Sequence, residues 1–143
     1  SKDLMLKLDI KESLFEDQFN ELQINIEKWI VSKRSFVKKT FEQHEKIKAK
    51  AFPGRSAILV KMLNIDENII SAVYEKPGSL KINHYVPGTR IPILSDDDLL
   101  ASDDLGKPLL NLAWHISKEI HGYLKESGYT GPITDILNSD DFS

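Results

Sequence analysis

Between residues 48 and 137 the hydrophobic period switches back and forth, from short extended runs to helical stretches, and this alternation restricts the fold more than any other feature. Residues 48–52 alternate polar and apolar and stop at Pro53-Gly54, a strand followed by a turn. Residues 56–63 have the apolar content of a buried helix, and residues 69–74 are rich in β-formers. Residues 90–94 form a short extended piece that Pro92 confines to an edge or a strand start. Ser95-Asp96-Asp97-Asp98 stands before Leu99-Leu100 as a capped helix start, its acids favouring the positive end of the helix dipole. Residues 109–114 read as a further strand. A helix follows over residues 115–127, with Ile116, Ile120 and Leu124 (or Tyr123) on one face and Gly128 placed for a left-handed C-terminal cap. Residues 131–134 add a last short strand.

Strands and helices in alternation predict an α/β fold: a mostly parallel sheet with helices on both faces, joined by right-handed crossovers. Ahead of it, residues 12–47 carry apolar side chains at helical spacing (Phe15, Phe19, Leu22, Ile26, Trp29 or Ile30, Val37, Phe41), uninterrupted by Gly or Pro. The pattern gives one long amphipathic helix or two consecutive ones, read as a cover or an arm beside the sheet. Residues 1–11 are assigned to an N-terminal extension, and residues 12–143 to a single domain with its sheet–helix core over about 48–137.

Composition narrows the chemistry. The chain has 143 residues and no cysteine, which removes disulfides, Cys-based zinc sites and thiol nucleophiles. A net charge of −3 gives no bulk attraction to nucleic acid or anionic lipid. No apolar run approaches the roughly 18 residues of a membrane span, and the first nine residues lack the apolar core of a signal peptide, so a cytoplasmic location is expected.

Open α/β sheets bind ligands beyond the carboxyl ends of their strands, where the strand order reverses. That rule selects three segments: residues 52–56, residues 75–89, and Trp114-His115. At Gly54-Arg55-Ser56 a helix start would offer amides and Arg55 a bidentate fork to a phosphate, although an ordinary β–α turn with an exposed arginine competes with that reading. The turn has neither the dinucleotide nor the P-loop glycine pattern. Trp114 and His115 either finish the core and start a helix or wall a pocket mouth. His115 and Glu119 share a helix face but lack a third ligand, so no metal site is expected. His44, His84 and His121 are read as surface residues, Asp96 to Asp98 as helix caps, and the lysines and arginine of residues 33–50 as a solvated face or a steering patch. Ser117 and Ser127 have no oriented base nearby in sequence, so no catalytic residue is assigned.

Two stretches change this picture. Tyr85-Val86-Pro87-Gly88-Thr89-Arg90-Ile91-Pro92-Ile93 and Leu112-Ala113-Trp114-His115-Ile116-Ser117-Lys118-Glu119-Ile120 resemble the Y-x-P-G-T-x-I-P-I and L-A-W-N-x-x-x-E-I stretches of the C-terminal domain of S-adenosylmethionine-dependent sugar C-methyltransferases, at similar spacing. Lys81 falls on a family lysine, and Arg55 stands in place of another, in a helix start similar to residues 54–61. The resemblance covers roughly residues 12–137. It implies a Rossmann-like fold and a part in holding a nucleotide-linked sugar against a methyl donor. The sequence departs from the family at Ala51-Phe52-Pro53-Gly54, at Ser56-Ala57, at Ile82-Asn83 and at His115. The family's Cys-rich zinc domain and central cofactor domain have no counterpart in these residues, nor is there a glycine-rich strand tip with its acidic partner to hold S-adenosylmethionine.

The resemblance therefore implies a substrate-binding domain that takes part in a transferase without catalysing alone, its methyl donor bound by a missing or separate domain. Its ligand would be a nucleotide-sugar or another diphosphate-bearing small molecule, contacted by Gly54, Arg55, Ser56, Lys81, Tyr85, Gly88, Thr89, Trp114 and His115. A separate methyltransferase chain and a second copy of this one are the expected protein partners. The alternative is an interaction or scaffold module that docks a partner, or itself, through the long helix.

Overall fold

The computed structural model describes residues 2–141. It contains four α-helices, α1 (Lys2–His44), α2 (Ala57–Met62), α3 (Asp96–Leu100) and α4 (Ser117–Glu126). The strands are β1 (Ile47–Lys50), β2 (Ile70–Glu75), β3 (Ile93–Ser95), β4 (Leu109–Asn111) and β5 (Ile133–Asp135). All five lie parallel in one sheet of order β3-β2-β1-β4-β5. The order reverses between β1 and β4, so the sheet is doubly wound about that point, as the α/β alternation predicts.

The strands are short, the central β1, β2 and β4 are buried on both faces while the edge strands β3 and β5 are partly exposed, and the side chains divide between two apolar layers. Ile47, Ala49, Val73, Leu110 and Leu112 join α1 and α2 in the larger one. Ala72, Tyr74, Leu109 and Ala113 join α3 and α4 in the other, through Leu99, Ile120 and Leu124. Fully burying one such aliphatic side chain is worth roughly 1.5–3 kcal/mol.

Several boundaries differ from the sequence reading. The helix begins at Lys2, ten residues before the predicted start, and so takes in residues 2–11. It ends at His44 because Glu45 turns to a φ of 64° and Ile47 is already paired with β2. The predicted strand over residues 109–114 stops at Asn111, whose side chain folds over Ala113, accepting from its N–H at 3.0 Å and donating to its carbonyl at 3.3 Å. That local turn competes with the ladder, as Asn side chains do. Trp114–Ile116 then form a 3₁₀ turn ahead of α4. Gly128 does adopt the expected left-handed conformation, at a φ of 100°.

Only the second half of α1 covers the sheet. Trp29, Lys33, Val37 and Thr40 are buried, whereas residues 2–24 are exposed on every face. Trp29 donates its indole N–H to the Ile136 carbonyl at 2.8 Å, and Lys33 donates to the Asp135 carbonyl at 2.9 Å. Burial lowers the Lys33 pKa despite the attraction of Asp141 and Asp135. Among the described residues no helix is long and apolar enough to cross a membrane.

Candidate ligand-binding edge

The turn after β1 starts with Ala51 at a φ of 61°, which swings the chain off the sheet into Phe52 and Pro53. Gly54–Ser56 then make a 3₁₀ turn that feeds α2. Ser56 is fully buried and its hydroxyl donates to the Leu112 carbonyl at 2.5 Å, so this turn is tied to the chain leaving β4. The crevice at the strand-order reversal is thus bridged by the buried Ser56 side chain. Arg55 is exposed on the same turn.

Glu75 ends β2 and turns its carboxylate back to this loop, accepting from the Phe52 N–H at 3.1 Å. Lys81 arrives from the following loop, donates to the Phe52 carbonyl at 2.5 Å and lies 3.5 Å from Glu75. Lys81 and Arg55 therefore sit on one rim, joined through residues 52–55. Lys81 is half exposed there, so its Coulomb interaction with Glu75 is largely screened.

At the carboxyl end of β1 lies an ion pair that sequence reasoning missed. Lys50, the last residue of β1, is 2.7 Å from Asp96, with both side chains 1% exposed. Tyr123 of α4 donates its hydroxyl to the same carboxylate at 3.0 Å and places its ring 5.4 Å from the Lys50 ammonium. Burial, followed by the Asp96 hydrogen bond and charge, raises the Tyr123 pKa. The helix-cap reading holds for Ser95, which accepts from the Asp97 N–H at 3.2 Å, but Asp96 itself points into the protein to neutralise Lys50.

At the ends of β4 and β5 a second polar cluster surrounds Asp135. Its carboxylate accepts from Asn111 at 2.9 Å and from Ser117 at 2.6 Å, and His121 lies 3.1 Å away. Burial alone would raise the Asp135 pKa; the hydrogen bonds from Ser117, Asn111 and His121 outweigh it and hold the group below its usual value. His121 is therefore paired and half-buried, not a free surface residue. Ser117 and His121 both address the carboxylate, which stands at the centre of the trio. A nucleophile–base relay needs the imidazole there instead, so this cluster positions α4 and keeps a carboxylate ionised.

Trp114 and His115 border a cavity of about 540 Å³ whose wall includes Ser117, Asp135, Asp140 and Asp141. Their rings meet edge to face at 5.9 Å. Trp114 Nε1 is, among the described residues, the one buried side-chain polar atom without a hydrogen-bond partner. This end of the edge is acidic and aromatic, whereas the Arg55–Lys81 end is basic. Gly88 and Thr89 belong to neither end: they line a groove of about 640 Å³ against Ala57, Val60, Lys61 and Asn64 of α2 and the turn after it. The hairpin that carries them folds back antiparallel on β3, through Asn83, His84 and a Tyr85–Pro92 bridge. Its tip lies by Glu67, which accepts from the Arg90 N–H at 3.2 Å at the amino end of β2. Thr89 donates to the Val86 carbonyl at 2.8 Å and accepts from the Ile91 N–H at 3.0 Å, so its hydroxyl builds the turn. Tyr85 is 60% exposed beside β3.

No group of three or more metal-ligating side chains occurs among the described residues. The residues do not fit S-adenosylmethionine either. Glu75 has the position at the tip of β2 from which an acid reaches a ribose, but the Phe52 N–H and Lys81 engage it. The turn after β1 carries Phe52 and Pro53 where close backbone approach to such a ligand requires glycine.

No curated protein matches the chain in sequence. The family model described as the C-methyltransferase C-terminal domain matches residues 7–132, which include the full sheet core up to the start of β5 as well as most of α1. The chain therefore belongs to the C-methyltransferase C-terminal domain family.

Proposed function

We propose that this chain is a substrate-binding domain whose carboxyl edge holds a nucleotide-sugar-type ligand, and that it contributes to methyl transfer only together with a separate cofactor-binding unit. The observation that carries this reading is the Lys81–Phe52 hydrogen bond, which brings a half-exposed ammonium onto the turn bearing Arg55. Two cations beside a helix start suit a diphosphate, which a guanidinium can grip bidentately. The acidic, aromatic end at Trp114, His115 and Asp135 suits neutral hydroxyls, with an indole face to stack on and a carboxylate to accept from them. Tyr85 is a candidate for the outer contact, while Gly88 and Thr89 act indirectly by shaping the hairpin that follows Lys81. A chain built this way orients a substrate and leaves the methyl donor to its partner, a separate methyltransferase chain.

Titration with a panel of nucleoside diphosphate hexoses, followed by backbone amide shifts, tests the reading. Perturbations are expected at residues 54–56 and 81 for the diphosphate sugars but not for the parent nucleosides, and Arg55→Ala should weaken binding about tenfold, as loss of a charged donor does. Silent amides at both positions at millimolar ligand would refute it.

A further inference from the structure

The amino-terminal half of α1 carries an exposed apolar stripe. Leu8, Phe15, Phe19 and Leu22 are 43–68% exposed. Their spacing continues through Ile26 to Trp29, so they lie on the helix face that docks onto the sheet further along. Twenty-three residues of helix, about 35 Å at 1.5 Å per residue, carry this stripe past the domain.

Charge and shape indicate what covers it. Residues 2–24 hold Lys2, Lys7 and Lys11 against six carboxylates, whereas residues 25–44 hold five cations against Glu27 and Glu42. The helix is thus acidic in its first half and basic in its second. Beside the basic half runs a groove of about 380 Å³, lined by Arg34, Lys38, Phe41, Leu63, Ile65 and Ile69. Basic residues at the lip and aliphatic residues along the wall complement an acidic helix with an apolar stripe.

We propose that the amino-terminal half of α1 from a second copy of the chain packs along this face, its residues 5–12 over the groove, the two copies exchanging helices reciprocally about a two-fold axis. Only an antiparallel arrangement sets acidic half on basic half in both directions. A parallel one opposes like charges and runs the partner helix into the sheet that Trp29 covers. With the axis near Gln23, Glu12 of one copy faces Arg34 of the other and Met5 faces Phe41. These four residues share one helix face on the groove side of α1, spaced by whole turns. Leu8, opposite Lys38, then turns toward the groove wall of Leu63, Ile65 and Ile69 in the second copy, while Phe15 and Leu22 lie opposite Val31 and Ile24 of its helix. Such an interface is self-complementary and closed, as two-fold dimers require.

Sedimentation equilibrium of the 143-residue chain over a wide concentration range tests this. The mass is expected to rise from 16.3 kDa to twice that value. Phe15→Glu with Phe19→Glu should shift dissociation at least tenfold while leaving the circular dichroism of the sheet domain intact, since both side chains are exposed. Arg34→Glu should weaken the dimer, and adding Glu12→Arg should restore it. A mass fixed at the monomer value overturns the proposal, as does a dimer indifferent to these substitutions or one that the charge reversal fails to rescue. Adsorption of a monomer to lipid vesicles through the same stripe would overturn it too.

Discussion

Lys50 and Asp96 form a fully buried ion pair at the carboxyl end of β1, one residue before the turn whose Phe52 carbonyl accepts from Lys81. It joins the end of β1 to the start of α3 across 46 residues, and Tyr123 ties in α4. Removing one partner strands the other charge in the interior. Lys50→Met should therefore cost about 3–5 kcal/mol in chemical denaturation, while Lys50→Met combined with Asp96→Leu should recover most of that loss. A single variant within about 1 kcal/mol of the parent would show that water reaches the pair.

The Asp135 cluster makes a prediction for acid. A carboxylate with a depressed folded-state pKa stabilises the protein above its unfolded value, near 3.9, and that contribution is lost as the pH falls through the lower folded value. Asp135→Ala should remove this acid-sensitive component. At neutral pH it should cost about 1–3 kcal/mol, because Asn111, fully buried, loses an acceptor. Denaturant midpoints measured from neutral pH downward would decide; parallel curves for parent and variant would refute the assignment.

The alkaline limb should be governed by buried tyrosines. Burial, with Asp104 and Tyr74 nearby, pushes the Tyr129 pKa up to about 12. A raised pKa means that the contribution is complete below the unfolded value, near 10, and fades as the pH climbs toward 12. Phenolate absorbance should show Tyr129 ionising only with unfolding. Tyr129→Phe should flatten the decline, at the cost of the hydrogen bond from its hydroxyl to the Lys107 carbonyl.

Gly131 leads the chain into β5 against the backbone of Gly106 and Lys107. A Cβ there would sit 2.1 Å from the Lys107 carbonyl oxygen, which no side-chain rotation can relieve. Gly131→Ala should destabilise by at least about 1–3 kcal/mol and disturb amides on both β4 and β5. Gly122 has open space around its Cα, and Gly122→Ala on α4 should be neutral or stabilising by up to about 1 kcal/mol.

Much of this architecture is visible in the sequence because periodicity reports burial. The switches at residues 48–52, 69–74 and 109–112 mark strands buried on both faces, and Ser95 and Gly128 punctuate helices in the ordinary way. The polar interior is not visible, since pairs such as Lys50–Asp96 and Asn111–Asp135 join residues 46 and 24 positions apart. Lys50 reads as one more cation in a basic run, and Asp96 as one more acid in a cap. Their burial follows from strand register and crossover geometry. The same cause separates Thr89 from Arg55: the hairpin reverses its direction after Tyr85, a reversal that Pro87-Gly88 permits but does not announce.

The contact between Lys33 and the Asp135 carbonyl has a consequence for solubility. Pro132 and Ile136 address β4, so by alternation the Asp135 carbonyl faces outward along the open border of the sheet. An unpaired border of this kind is a template on which a stray strand can assemble. Here it is three residues long, and an ammonium from α1 occupies its last acceptor. At the opposite border the segment around Asn83 and His84 pairs with Ile93. Detaching the helix would therefore do more than loosen the core: it would uncover a nucleation point for fibrous aggregation.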